Sequence, residues 1–277
     1  MILLAIFIFG TIIGSFLNVV IFRLDSNSKK VDLGGRSKCL SCQKKLSWSE
    51  LVPIFSFVFQ KGKCYGCGKK ISWQYPIVEL VTGFVFLILF LFVANLHSKF
   101  ATNLPLTPYS LFFLTYLWAI FSILIAITVY DIKHKIIPDS LSFLFSGISF
   151  FALLLGVSFV EKNILNLLAG IILALPFVLL WLVSKGEWIG LGDAKLVLGI
   201  GWFMGLIDGI SSVILAFWIG SVFGVSLILI SKISPLFFKN KNFTIKSEIP
   251  FAPFLILGVV LIFFFGWDVL GLKLFNL

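Results

Sequence analysis

Eight apolar runs, divided by short polar connections, leave this chain few folds to choose from. They are Ile2–Phe22, Pro76–Leu96, Leu111–Tyr130, Ser140–Val157, Ile164–Val183, Leu196–Leu206, Ile210–Ile230 and Phe251–Val269. Most approach the roughly 17 to 25 residues that a helix needs to cross a hydrocarbon core. In lipid, every backbone N–H and C=O must be satisfied within its segment, so each run is expected to be helical. The sixth is short, and its helix is expected to begin within the glycine-rich stretch before it. With 60% hydrophobic and only 12% charged residues, the chain has too little polar surface for a soluble domain of its length. The expected fold is an all-α polytopic membrane protein with about eight transmembrane helices. The first run has no basic residues ahead of it and no Ala-x-Ala cleavage site after it, so it is read as a retained span.

A net charge of +10 in a soluble protein would point to nucleic acid. Here the positive charges are sorted by side. Of 22 Lys and Arg residues, 19 fall in one alternating set of connections: Arg23–Trp73, Lys133 and Lys135, Lys185 and Lys195, and Lys232–Lys246. Only Lys99, Lys162 and Lys273 fall in the other set. The positive-inside bias makes the first set cytoplasmic, with both termini outside, and makes membrane lipid rather than nucleic acid the expected partner.

Residues 23–75 form the one long polar segment and hold all four cysteines, in "CLSC" (Cys39, Cys42) and "CYGC" (Cys64, Cys67). The segment repeats: "CLSCQKKLSW" and "CYGCGKKISW" share one pattern, each half reading as two thiolates, a tight turn and a short strand. Two such knuckles offer four soft ligands to one tetrahedral Zn²⁺, with no open position for catalysis. A cytoplasmic setting disfavours disulfides, which leaves redox pairs or free thiols as the rival reading. The chain thus divides into a first helix (1–22), a cytoplasmic tetra-cysteine zinc domain (23–75) and a seven-helix membrane core (76–277).

Only 12 residues are acidic, and Glu79, Asp131, Asp139 and Asp193 lie where a span meets polar sequence. Asp131 ends the third run, in "TVYDIKHKIIPDS", and Asp193 sits in "GLGDAK" (190–195) before the sixth. The charge pattern puts both at the cytoplasmic edge, at similar depth. Taken singly, each reads equally well as a snorkelling or capping residue. Brought together around a water, two carboxyls share a proton, and one acts as base while the other donates to a carbonyl. Gly190 and Gly192 remove side chains beside Asp193 and permit unusual backbone angles, so an extended substrate can approach. Lys195 either stabilises an ionised Asp193 or simply follows the positive bias. Asp139, before a helical run, suits an N-cap. His97 and His134 fall on opposite sides and make a poor metal pair.

In order along the chain stand "GSFLNVVIFRL", the paired C-x-x-C segment, "YPIVELVTG", "DIKHKIIPD" and "GLGDAK". In this the chain resembles the bacterial type IV prepilin peptidases, membrane aspartic proteases of the GxGD type. The resemblance implies an inner-membrane enzyme that removes a short basic leader from prepilin or pseudopilin precursors at the cytoplasmic face. It carries the two catalytic aspartates onto Asp131 and Asp193. It also implies, in many members, methylation of the new N-terminus with S-adenosylmethionine, for which no spacing here speaks. Gly14, Asn18, Arg23 and Glu79 match patterned positions. Arg23 and Glu79 either pair, hold substrate or methyl donor, or serve packing and anchoring.

Two other readings are a cation-coupled transporter, with the aspartates binding an ion, and a zinc-dependent assembly scaffold without catalysis. The stripe "GTIIG" (10–14) is expected to pack helices within one chain rather than between copies.

Overall fold

The computed structural model describes residues 1–24, 35–39, 41–100, 107–158, 160–233 and 249–267, together with 269 and 271. The sequence readings on Lys273 and on the far part of the basic stretch Lys232–Lys246 lie outside these residues, as do the side chains of His97 and Lys99. The described chain is helical: α1 (Ile2–Leu24), a 3₁₀ turn (Trp48–Glu50), α2 (Phe55–Phe59), α3 (Gln74–Phe100), α4 (Pro108–His134), α5 (Asp139–Leu154), α6 (Ile164–Ser184), α7 (Leu191–Ile233) and α8 (Ala252–Phe265). Five of these are long and apolar enough to cross a membrane: α1, α3, α4, α6 and α7. Helices α5 and α8, with 16 and 14 residues, are too short by that measure. A 14-residue helix rises only about 21 Å, against roughly 30 Å of hydrocarbon. Eight full-length spans are therefore not what the helix lengths give.

The chain forms two compact units, Met1–Ala126 and Ile127–Leu277. In the first, α1 lies against α3 through small residues. A Cβ on Gly10 would come 2.8 Å from the Gly83 Cα, and one on Gly14 would come 2.8 Å from the Glu79 Cα. The "GTIIG" stripe thus packs within the chain, as read. Lipid tails are as apolar as the helix surfaces, so close packing and buried hydrogen bonds supply the specificity. Asn18, fully buried, donates to the carbonyls of Gly14 and Tyr75. The Trp118 indole stacks on Phe86 at 4.9 Å and donates to its carbonyl oxygen.

In the second unit, α6 and α7 cross at glycines: a Cβ on Gly201 would fall 2.6 Å from the Gly170 Cα. Helix α7 continues the sixth and seventh apolar runs across a break at Gly205 (φ 77°, ψ −175°), backbone angles that belong almost to glycine alone. The break frees the N–H of Leu206, which donates to Asn166 Oδ1 at 3.1 Å. Asn166 also donates from its side chain to the Glu161 carbonyl, so one residue ties the break to the start of α6. The helix before the break begins at Leu191 and takes in part of the glycine loop, as the sequence implied. Gly205→Ala would set a Cβ 2.8 Å from Val160 and 2.9 Å from Asn166 Oδ1, in a backbone region closed to alanine. The expected cost is roughly 2–4 kcal/mol, read as a lower unfolding temperature in detergent.

Candidate active site and metal centre

Residues 35–73 fold as the repeated cysteine pattern implies. In the first knuckle the Cys39 N–H donates to the Lys44 carbonyl and the Gln43 N–H to the Cys39 carbonyl. In the second, Cys64 N–H meets Lys69 O and Gly68 N–H meets Cys64 O. Gln43 (φ 57°) and Gly68 (φ 68°) hold the same left-handed place in the two turns. The expected short strands shrink to single bridges, Lys38 with Lys45 and Lys63 with Lys70.

The four sulfurs lie within 4.8 Å of one another. Cys39 and Cys67 approach at 3.9 Å, and Cys42 and Cys64 at 4.0 Å. A tetrahedral ion with metal–sulfur bonds of about 2.3 Å would set its ligands about 3.8 Å apart, so the donor set and its spacing fit. The N–H groups of Cys42 and Ser41 draw the Cys39 thiol down to about 6, towards the thiolate that binds metal. Beside the cluster, the Glu50 carboxylate accepts from the Ser47 N–H at 2.8 Å and pairs with Lys44 at 3.0 Å, which holds it below the usual carboxylate range.

Where this segment meets α3, buried Glu79 accepts from the Ile54 N–H at 2.7 Å. Ile54 holds φ 63°, a strained conformation for a β-branched residue. The Glu79 carboxylate thus clamps a tight turn. Arg23 donates to the Gly35 carbonyl at 3.0 Å.

In the second unit, the last turn of α4 and the first turns of α7 and α8 bring together three groups. Asp131 is buried, with 3% of its surface exposed, and its Oδ2 accepts from the Ala252 N–H at 3.0 Å. Ala252 opens α8, so the positive end of that helix meets the carboxylate. Asp193 lies in the first turn of α7, its carboxyl facing the Gly190 N–H and within range of the Asp131 charge. An acid three residues after a helix-capping position, turned back to that position's N–H, is half of a capping box. Neither Gly190 nor Gly192 takes up a left-handed conformation, so unusual backbone angles are not the reason for them. At Gly192 space is: a Cβ there would stand 3.0 Å from the Ile137 Cβ, whereas one on Gly190 would make an ordinary 3.5 Å contact with Asp193 Oδ2.

Asp139 is a correction. Pro138 holds the N-cap position of α5, and Asp139, one residue inside, makes no capping bond. It pairs instead with Lys195 at 2.6 Å, and Lys195 also lies 5.3 Å over the Phe143 ring. Lys195 is thereby engaged with α5. With the Asp139 side chain 65% exposed, the pair is a surface one. Asp139→Asn is expected to keep the wild-type rate of any reaction at this site within about threefold, since exposed pairs contribute only about 0–1 kcal/mol.

Sequence reasoning missed the Ala252 N–H. A backbone donor carries no side-chain signature; the sole hint was Pro250 and Pro253 marking a helix start.

A helical chain with five helices long and apolar enough to cross a membrane, a tetra-cysteine insert and two aspartates at helix ends defines a class, the polytopic membrane proteins. A model of the bacterial peptidase A24 N-terminal domain matches residues 8–93, and a model of the type IV leader peptidase family matches residues 118–229. The chain is 29% identical over 266 residues to a prepilin leader peptidase/N-methyltransferase of Bacillus subtilis (strain 168), covering 96% of this chain and 95% of that one. It is 28% identical over 283 residues to a protein of that name from Aeromonas salmonicida (strain A449), with 90% and 86% covered. A third, from Myxococcus xanthus (strain DK1622), is 30% identical over 230 residues, with 81% and 62% covered. No solved structure matches the chain. The chain belongs to the type IV leader peptidase family.

Proposed function

We propose that this protein is a membrane aspartic endopeptidase that removes the basic leader from type IV prepilin-like precursors, with Asp131 and Asp193 as its catalytic pair. The observation that supports the reading is that two acids 62 positions apart stand at the ends of α4 and α7, near enough for the charge of one to bear on the other, in a chain of this family. The Ala252 N–H and the α8 N-terminus favour negative charge on Asp131. Asp131 therefore serves as the base that takes a proton from water as its oxygen attacks the scissile carbonyl. Asp193 gives its proton to the carbonyl oxygen, and collapse of the diol returns a proton to the leaving amine. The missing side chain at Gly190, beside the Asp193 carboxyl, leaves room for the extended leader junction to approach that acid.

In the membrane, we assign crossings to α1, α3, α4, α5, α6, the two parts of α7 on either side of Gly205, and α8, the bilayer thinning locally around the short ones. The sidedness of Lys and Arg supports a cytoplasmic site and zinc domain, with both termini outside. Cys39, Cys42, Cys64 and Cys67 would hold one structural Zn²⁺, which organises residues 23–75 and takes no part in hydrolysis. Pilins and the pseudopilins of competence or secretion systems are the substrate class.

Methylation of the new N-terminus from S-adenosylmethionine, an activity in the names of the relatives, is proposed as a second activity. The described residues include no strand leading through a glycine-rich turn into a helix, so no step through that donor is derived. Glu79 and Arg23 have the Ile54 N–H and the Gly35 carbonyl as partners, which favours anchoring as their role.

The test incubates membranes containing the protein with a detergent-solubilised prepilin and separates precursor from mature form on a gel. A mature band is expected; an intact precursor after prolonged incubation would refute the assignment. Mass measurement of the mature product, with and without S-adenosylmethionine, reads out the methyl group.

A further inference from the structure

The small domain carries an apolar surface that its own fold does not cover. Phe57 turns inward, packing on Trp73 at a ring distance of 4.9 Å and against Gly62. On the other side of the same short helix, Phe55, Val58 and Phe59 are 62%, 64% and 73% exposed. Leu51 and Val52 extend this stripe at its start, and Trp48 and Trp73 stand exposed beside it. Spacings of three and four residues put the stripe on one helical face.

The position of the stripe decides what meets it. The Ile54 N–H is bonded to Glu79, five residues beyond the start of α3. At 1.5 Å per residue, that anchors the beginning of α2 about 7–8 Å along a membrane-crossing helix, counted from its polar end. The lipid-facing side of α3 is exposed at the same level, at Ile77, Leu80, Val81 and Phe84. The stripe thus continues an apolar surface already given to lipid. Lys61 and Lys63 follow it directly and are exposed, as are Lys45, Lys69 and Lys70. Exposed Trp at a span's end and Lys around an apolar face are the pattern of a segment seated at the headgroup boundary.

We propose that α2 is an interfacial membrane anchor, with Phe55, Val58 and Phe59 inserted among the upper acyl chains and the neighbouring lysines on anionic headgroups. The occupant of the stripe is the bilayer, and the zinc domain lies on the membrane rather than standing off it. The proposal is independent of the peptidase reading.

Trypsin cuts after Lys45 and Lys61, so one peptide, 46–61, carries the whole stripe. The full chain is reconstituted in bilayer nanodiscs containing phosphatidylglycerol and a phospholipid with a photoactivatable diazirine on its upper acyl chain. After irradiation and digestion, peptide 46–61 is expected to carry label. Phe55→Ser with Phe59→Ser lowers that label severalfold, while the α1 peptide 1–23 keeps its own label and reports correct insertion. Nanodiscs of phosphatidylcholine alone give less label on 46–61, from loss of the lysine contribution; equal label there removes the headgroup part of the proposal. An unlabelled wild-type peptide 46–61, or equal labelling in the double variant, overturns the anchor. Displacement of the label by added prepilin also overturns it, by assigning the stripe to substrate.

Discussion

Asp131→Asn and Asp193→Asn each slow leader removal by about 10³–10⁴-fold, near the upper end of what a positioned general acid or base contributes. Asparagine keeps the shape of the side chain, and at 131 its amide oxygen still accepts from the Ala252 N–H, so the helix ends stay in register. What is lost is the exchangeable proton. The two acids act as one unit, so the double variant is expected to be no slower than either single one. The measurement is a time course of precursor conversion at matched enzyme amounts, with unfolding temperature in detergent as the check on folding. Wild-type rates in either variant would remove that residue from the chemistry. The contrast with Asp139→Asn makes the test specific: Asp139 is an acid of the same stretch, paired with Lys195 at the first position of a different helix, and its loss leaves the rate nearly intact.

The second large effect concerns metal. The purified protein is expected to contain about one zinc per chain. Cys64→Ser replaces the one buried ligand of the four and abolishes that stoichiometry. Metal binding in small cysteine sites is worth about 10–16 kcal/mol of folding free energy, far more than the few apolar contacts of such a segment supply. Loss of the ion therefore opens the segment. Trypsin should then cut rapidly at Lys45, Lys61, Lys63, Lys69 and Lys70, sites it reaches slowly in the metal-loaded protein. A chain that is free of metal and yet resists trypsin as well as the native one would contradict the zinc assignment.

The sequence and the structure meet most closely where a side chain states its own purpose. The cysteine repeat was legible because thiol pairs at fixed spacing have few uses, and the four sulfurs do come together. The apolar runs were legible because lipid demands helices, and α1, α3, α4 and α6 begin or end within a few residues of the runs, apart from longer ends on α3 and α4. Asp131 and Asp193 stood out because so few acids are present. What escaped was held by backbone or by distance. The Ala252 N–H reaches Asp131 across 121 positions, and every helix start offers such a donor. Gly205 is one of several glycines within ten residues, and only the surrounding fold selects it for the break. The partner of Lys195 was not legible, because Asp193, two residues away, is near in sequence, whereas Asp139 is near only once α5 and α7 have packed.

The bond between Asp131 and the start of α8 also sets a schedule for biogenesis. Residue 252 leaves the ribosome long after Asp131 and Asp193 have been made, so the nascent polypeptide carries both acids without the donor that completes their surroundings. With the two acids as the catalytic pair proposed above, the donor to Asp131 reaches it only once α8 has packed against the end of α4.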